Sequence, residues 1–355
     1  MDERSPPTRN AFVRRVVIAV GIATLVAALV LVLWFAVDVL LLVLSGVLGA
    51  VLLRALSDPL AHHTRLKPRW SLTLVVALLL AITGLGAWLL TPTFAGQLAD
   101  LAQTLPGSLE QLRSSLSTNG FGRLLVRTVE RAVTLPPDLE NLQELFTIAA
   151  GSLIRWAIYA LTIIFVALFM AYEPRLYVDG VLRLLPVPRR SRAREVLYAM
   201  GHALRWFLLG RAAGMLLVGV LTAIELWVLG IPLALLLGIL VALLTFVPYV
   251  GPILGGVLIG FVTLVHSPAR LPLVIGIYTV IQYLDDYLIM PLVQERTVSL
   301  APALTLAAEV LMGLLFGALG VAISTPLAAA GLVFVRMVYV EDTLGDREGE
   351  VRNPP

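Results

Sequence analysis

Two adjacent acids, Asp285 and Asp286, interrupt an otherwise apolar run from about Leu271 to Leu292. An ionised aspartate at the centre of a membrane-spanning helix costs ~2.5–3.5 kcal/mol on insertion scales, so such groups persist only where they are protonated, paired or hydrated. Gln282 lies within one helical turn upstream of both acids, close enough to share a face with either, and Tyr283 adds a hydroxyl. Neighbours in a helix point ~100° apart, so the two acids need not face one cavity. One reading is a cation or proton site. The other is an acid pair locked to an arginine of the basic stretch 173–211 or of another subunit. A third acid, Glu309, is embedded in the apolar stretch 303–338, one turn before Gly313. It could face Asp285 or hydrogen-bond exposed backbone. Tyr249 sits among Pro248, Gly251 and Pro252, where its hydroxyl could meet a solute or satisfy a freed carbonyl. Glu225 falls near the end of another apolar run, where it could snorkel to water. His202 and His266 are lone histidines near the ends of apolar runs, and a proton-relay role is the weaker reading for each.

The elements that must position these groups are overlong, broken apolar stretches. Residues 232–266 would run to roughly 50 Å as one helix, well beyond the ~30 Å hydrocarbon core. Its middle reads FVPYVGP, and proline and glycine there stop the helix at membrane depth. Backbone freed in that way is tolerated only inside protein or beside a wet cavity, and paired broken segments point to a transporter's binding site. The stretch 303–338 repeats the pattern: Gly313, Gly317 and Gly320 lie mid-stretch, followed by Pro326. The interval from Pro232 to Gly251 nearly matches that from Pro302 to Gly320. Residues 212–266 and 271–338 are therefore an internal repeat, each a span followed by a broken stretch. If each break is a re-entrant hairpin, the first enters from outside and the second from inside, giving an inverted repeat with six full spans plus two hairpins. If each stretch crosses once, the chain has eight full spans. Gly256 and Gly260, like Gly313 and Gly317, are spaced for close helix packing.

The remaining chain supports a polytopic all-α membrane protein. The 355 residues are 59% hydrophobic and 14% charged, and mean hydropathy is +0.93, far from a soluble composition. Residues 1–92 hold three spans, near 16–35, 38–56 and 71–91, with only Asp38 marking the turn between the first two. An uncleaved anchor accounts better for the first run than a signal peptide does, because the run is long and merges into the second span. Residues 93–147 form a small, soluble helical insert: apolar residues recur at helical spacing and acids outnumber bases. A fourth span occupies 148–172, with Arg155 and Trp156 near its entrance. The linker 173–211 is rich in arginine and is expected to form amphipathic helices broken at LLPVP. Residues 212–338 are the half that carries the repeat, and 339–355 a disordered tail. Arginine-rich segments at the N-terminus, at 54–70 and at 173–211 put those regions and both termini in the cytoplasm, and the insert outside.

Several classes are excluded. The formal charge of +3 comes from loop arginines, Lys67 being the only lysine, and reports membrane orientation instead of nucleic-acid binding. With no cysteine, disulfides, Fe–S clusters and cysteine–zinc sites are ruled out. There is no Walker A loop and no H-E-x-x-H, so ATP hydrolysis and zinc proteolysis have no motif here. Adjacent acids on one helix do not make an intramembrane aspartyl pair. The chain reads as a non-enzyme without resident cofactor or metal, in which Na+ or H+ would serve only as a coupling ion. A reading of another class is a membrane scaffold that binds an extracytoplasmic partner through residues 93–147.

The segments LGIPLALLLGILVALLTFVPYVGPILGG, IQYLDDYLIMPLV and GLLFGALGVAISTPLAA resemble the bacterial autoinducer-2 exporter family of permeases. The resemblance is specific over 210–330 and architectural before that. Gln282 and Asp285 fall on the family's Ile-Gln pair and following acid, Pro291 on its proline, and Gly317, Gly320 and Pro326 on its last Gly/Pro set. Asp286, Tyr287, Glu225 and Glu309 depart from it. The resemblance implies a homo-oligomeric transporter in the bacterial inner membrane, handling a small polar solute or ion. Either autoinducer-2 export or sodium–proton exchange is implied.

Overall fold

Glycine and proline set the corners of the chain. The structure, a computed structural model, describes residues 9–86, 88, 96, 142–289 and 301–346. Among these, every regular element is helical. In order they are α1 (Arg9–Thr64), α2 (Pro68–Gly86), α3 (Leu142–Tyr172), α4 (Pro174–Arg183), α5 (Arg190–Val228), α6 (Ala234–Thr245), α7 (Val250–His266), α8 (Leu271–Leu284) and α9 (Pro302–Phe334). A π-helical turn extends α8 through Asp285–Ile289, and another extends α9 through Val335–Glu341. Five of the described helical stretches are long and apolar enough to cross a membrane: Val37–Thr64, Pro68–Gly86, Arg155–Tyr172, Val187–Val228 and Pro302–Glu341. Most of the insert expected at 93–147, Pro291 and the tail beyond 346 lie outside the described residues.

Some expected boundaries are absent. No turn occurs at Asp38, because α1 runs through it without interruption. The flanking residues include neither glycine nor proline, so nothing stops the backbone ladder, and one charge alone does not end a helix. The linker does break at LLPVP, between α4 and a short 3-10 turn, Val187–Arg189. It does not end at residue 211, since α5 carries straight on to Val228. Nor is residue 339 the start of a disordered tail: Arg192, at the start of α5, binds Glu341 (2.7 Å) and Asp342 (3.1 Å) and donates to the Met337 carbonyl (3.2 Å).

Helix α5 is the pillar of the molecule, packed against α1, α6, α8 and α9. Its end is a Schellman turn. Gly230 takes φ +63°, its N–H donates to the Trp227 carbonyl (3.0 Å), and the Ile231 N–H donates to Leu226 (2.8 Å). The chain then returns as α6, flush against α5. A Cβ on Gly219 would lie 2.6 Å from that of Ala242, and one on Gly238 equally close to that of Ala223. Such small-residue seams matter within lipid, where helices gain little hydrophobic drive from touching each other.

Two helical hairpins follow. In the first, α6 and α7 meet at Phe246–Tyr249 and fold back on one another. Gly251 abuts the Leu244 carbonyl, and Gly255 faces Val241. The Val250 N–H donates to the Pro248 carbonyl (2.6 Å) across Tyr249, which is held at φ +57°, ψ −55°, a strained γ-turn. In the second, α9 contains Gly317 at φ +64°, ψ −150°, a region open essentially to glycine alone. Gly313 faces Val321, Gly320 abuts the Met312 carbonyl, and Thr325 reaches Glu309. In a straight helix Glu309 and Thr325 would stand roughly 24 Å apart. The stretch is therefore folded double at Gly317. Pro326 lies within its second arm and does not form the break.

The N-terminal pair follows the same logic. Gly46 and Gly49 of α1 admit Val166 and Ala167 of α3, and Arg54 donates to the carbonyls of Ala171 (2.6 Å) and Tyr172 (3.3 Å), capping α3. Arg205 of α5 pairs with Asp58 of α1 at 3.0 Å, tying the two halves together.

Candidate functional site

Arg211 lies in the middle of α5 and is 7% exposed, buried in an apolar helix instead of on a cytoplasmic linker. One turn on, Gly214 offers no side chain, and the Asp285 carboxylate occupies that space. Asp285 is 4% exposed, and its Oδ2 stands 3.9 Å from Arg211 Nη1. That distance holds the charges together without a closed hydrogen bond. Arg211 Nε and Asp285 Oδ1 have no hydrogen-bond partner among the described residues. The acid sits at the first residue of the π turn that extends α8, the kind of local irregularity that re-aims side chains at functional positions.

Both hairpins reach this pair. Asp286, Glu309 and the Tyr249 hydroxyl lie within electrostatic range of Arg211. Glu309, 1% exposed, accepts from Thr325 Oγ1 at 3.2 Å, while its other oxygen is unpartnered. Tyr249 comes from the first break, Glu309 and Thr325 from the two arms of the second. Depths agree: from the α5–α6 corner, α6 descends roughly 18 Å to its break, and α8 roughly 21 Å to Asp285.

The sequence candidates divide accordingly. Asp285 pairs with Arg211, and Glu309 and the 40% exposed Tyr249 lie within electrostatic range of it. Gln282 is half-buried with a buried, unpartnered Nε2, one turn above Asp285. Tyr283 turns away: it is 58% exposed and its ring lies 6.2 Å from that of Tyr287. Asp286 also faces outward on the exposed side of the turn, as a neighbour of an inward residue must. The breaks themselves occur at Pro248–Gly251–Pro252 and at Gly317, with Gly313 and Gly320 allowing the second pair of arms to close. Glu225 does not snorkel. It is 6% exposed within the helix bundle. His202 packs edge-on to Trp206, and His266 is exposed at the end of α7.

In the sequence Arg211 reads as one of the linker arginines, and nothing singles out Gly214 or Thr325 by itself. A signal existed: Arg211 is the last charge before a long apolar run, with glycine one turn later. That pattern makes room beside a cation that cannot reach water. Chemically, the centre offers a guanidinium and an amide as donors and two buried carboxylates, Asp285 and Glu309, as acceptors among apolar helices. It has the composition to bind a small polar or charged species.

Helical spans, broken helices and a buried charge centre between them define a multi-pass membrane protein of the transport class. The chain is 24% identical to YrrI of Bacillus subtilis, a protein named for transport, over 78% of this chain and 80% of that one. It is 26% identical to a Synechocystis protein of the same designation, over 81% and 82% of the two chains. It is 23% identical to PerM of Escherichia coli, named a permease, over 73% and 76%. The AI-2E family transporter model matches residues 22–339, and the chain belongs to that family.

Proposed function

We propose that the chain is a secondary transporter that exports a small hydrophilic solute, such as the autoinducer-2 signal for which its family is named, through the Arg211 centre. One observation carries this reading: a buried arginine paired with an acid and set within electrostatic range of groups from both helical hairpins. A charge there is expensive unless it serves a site, and broken helices at membrane depth supply free backbone groups to bind cargo. In this reading the hairpins are re-entrant and related by inverted topology, both termini are cytoplasmic, the 93–147 insert lies outside, and the protein works in the inner membrane as a homo-oligomer. Arg211, Asp285, Gln282, Glu309 and Tyr249 contact cargo or coupling ion. Rearrangement of the hairpins around them exposes the centre to each side in turn.

A second reading is cation–proton antiport. It is favoured by the imbalance of three acids, Asp285, Asp286 and Glu309, around one arginine. Such an excess attracts a cation or proton more readily than an anion. Flux into proteoliposomes containing Asp285→Asn, Asp286→Asn or Arg211→Gln tests both. Solute export predicts that Arg211→Gln abolishes flux while Asp286→Asn retains most of it. Antiport predicts that the Asp variants lose their response to a pH gradient. Unchanged flux in Arg211→Gln and Asp285→Asn together would remove the centre from either scheme. Topology is tested with a single cysteine at Ala269, an exposed position in the turn Pro268–Arg270. Labelling from outside supports the re-entrant first hairpin, and labelling from inside overturns it.

A further inference from the structure

A second buried carboxylate stands apart from the Arg211 centre. Glu225 lies roughly 20 Å further along α5 and is 6% exposed. Neither of its oxygens has a hydrogen-bond partner among the described residues. Thr222, one turn earlier on the same face, is fully buried, and its hydroxyl is also unpartnered.

Among the described residues, the groups around Glu225 include no free cation. Helices α6 and α7 carry no acid, base or histidine from residue 234 to residue 265. From α8, Tyr278 faces Glu225 and is 5% exposed, whereas Tyr283 points outward. Arg270, just before α8, is engaged at the helix end, where it donates to the Leu229 carbonyl. An ionised carboxylate without a partner in so apolar a setting costs several kcal/mol. A proton is the one cation that needs no further ligand there.

Tyr278 gives this carboxylate a route to the rest of the molecule. Its hydroxyl donates to the Pro252 carbonyl at 2.9 Å, in the first turn of α7 beside the break in the first hairpin. Gly255 and Gly256 leave the space its ring fills. Tyr278, Gln282 and Asp285 then succeed one another at helical spacing down one face of α8, and the Tyr278 hydroxyl approaches Gln282.

We propose that Glu225 is a proton-binding carboxylate, separate from the Arg211 centre and set beside Tyr278 on the α8 face that also carries Gln282 and Asp285. Its protonation is a property of the bundle alone. Any contribution to transport rests on the function proposed above.

The test is an infrared pH titration of the purified full chain in lipid nanodiscs, reading the carbonyl stretch of protonated carboxylic acids. The expected result is a band that disappears in Glu225→Gln, persists in Asp285→Asn and shifts its titration midpoint in Tyr278→Phe. Identical carboxylic-acid bands in wild type and Glu225→Gln across the neutral range would overturn the proposal. Should Glu225→Gln fail to elute as a folded species, Tyr278→Phe decides: a moved midpoint supports the proposal, and an unmoved one defeats it. Because no flux is measured, a protein that shows the band yet transports nothing would sink the transport reading and leave this one standing.

Discussion

The two hairpins make the same fold-back with different means. The first is pinned at its hinge and along α5, although Leu243, Ile253, Leu254 and Val257 on its outer side are as exposed as the leucines of the second. Its hinge combines two prolines with a strained tyrosine, Tyr278 ties the Pro252 carbonyl, and the Gly219–Ala242 and Ala223–Gly238 seam seals α6 to α5. Its interior belongs to a continuous apolar core that includes Val218, Leu226, Leu237, Val241, Ile259 and Val274. The second turns at one glycine with open space around it. Its arms are joined by a polar contact between Glu309 and Thr325, and Leu311, Leu314 and Leu315 on its first arm are exposed. On the function proposed above, the difference would make one break a fixed wall of the centre and the other its adjustable side. A single glycine hinge stores little resistance to change, whereas a proline-flanked turn with a tethered carbonyl resists it.

The largest effect is expected at the residue both hairpins share. Arg211→Met strands Asp285 in an apolar site and should lower unfolding stability by about 3–5 kcal/mol, read from thermal unfolding in detergent. Combining it with Asp285→Leu should recover more than half of that loss, since a buried pair replaced by apolar groups is often neutral, without restoring transport. If the double variant is no more stable than the single one, the two charges do not act as a pair.

Next in size is Gly251→Ala. The added methyl meets the Leu244 carbonyl, a backbone atom held by the fold, and should cost about 3 kcal/mol. Gly317→Ala meets nothing, yet its backbone angles exclude a side chain, so about 1–3 kcal/mol is expected. Here the comparison sharpens. Gly317→Ala should reduce flux out of proportion to its stability loss, while Gly251→Ala should reduce both together. Equal behaviour would erase the distinction between wall and adjustable side.

The smallest pair compares single hydrogen bonds. Tyr278→Phe and Thr325→Val should each cost about 1 kcal/mol. Thr325→Val should also alter the concentration dependence of transport, because it frees Glu309 beside Arg211.

Much of this plan was legible from residues 246–252 and 313–320. Proline and glycine change backbone energetics locally, so their effect can be read without knowing the fold. The acids were legible for the same reason: a charge in an apolar run stands out wherever it lies. What stayed open was which residues pair: an arginine of 173–211 is one of the two readings for the acids, and the sequence does not say which arginine. Arg211 looks like the last of a series of interfacial arginines until α8 brings Asp285 beside it. Thr325 gains meaning only once Gly317 folds the chain and sets it against Glu309. Asp38 misled for the opposite reason. A single acid between apolar runs resembles a turn, yet helix termination needs a broken hydrogen-bond ladder, and none of its neighbours breaks one. Glu225 escaped because a charge near a helix end usually finds water, and only the return of α6 and α8 across it closes that exit.

The Arg192 clasp has a bearing on how the second hairpin is rooted. Its links to Glu195, Glu341 and Asp342 are partly open to solvent, and such pairs are individually weak and screened by salt. The foot of that hairpin is thus latched by ions and not welded by packing. Ambient electrolyte becomes a dial on how readily it lets go.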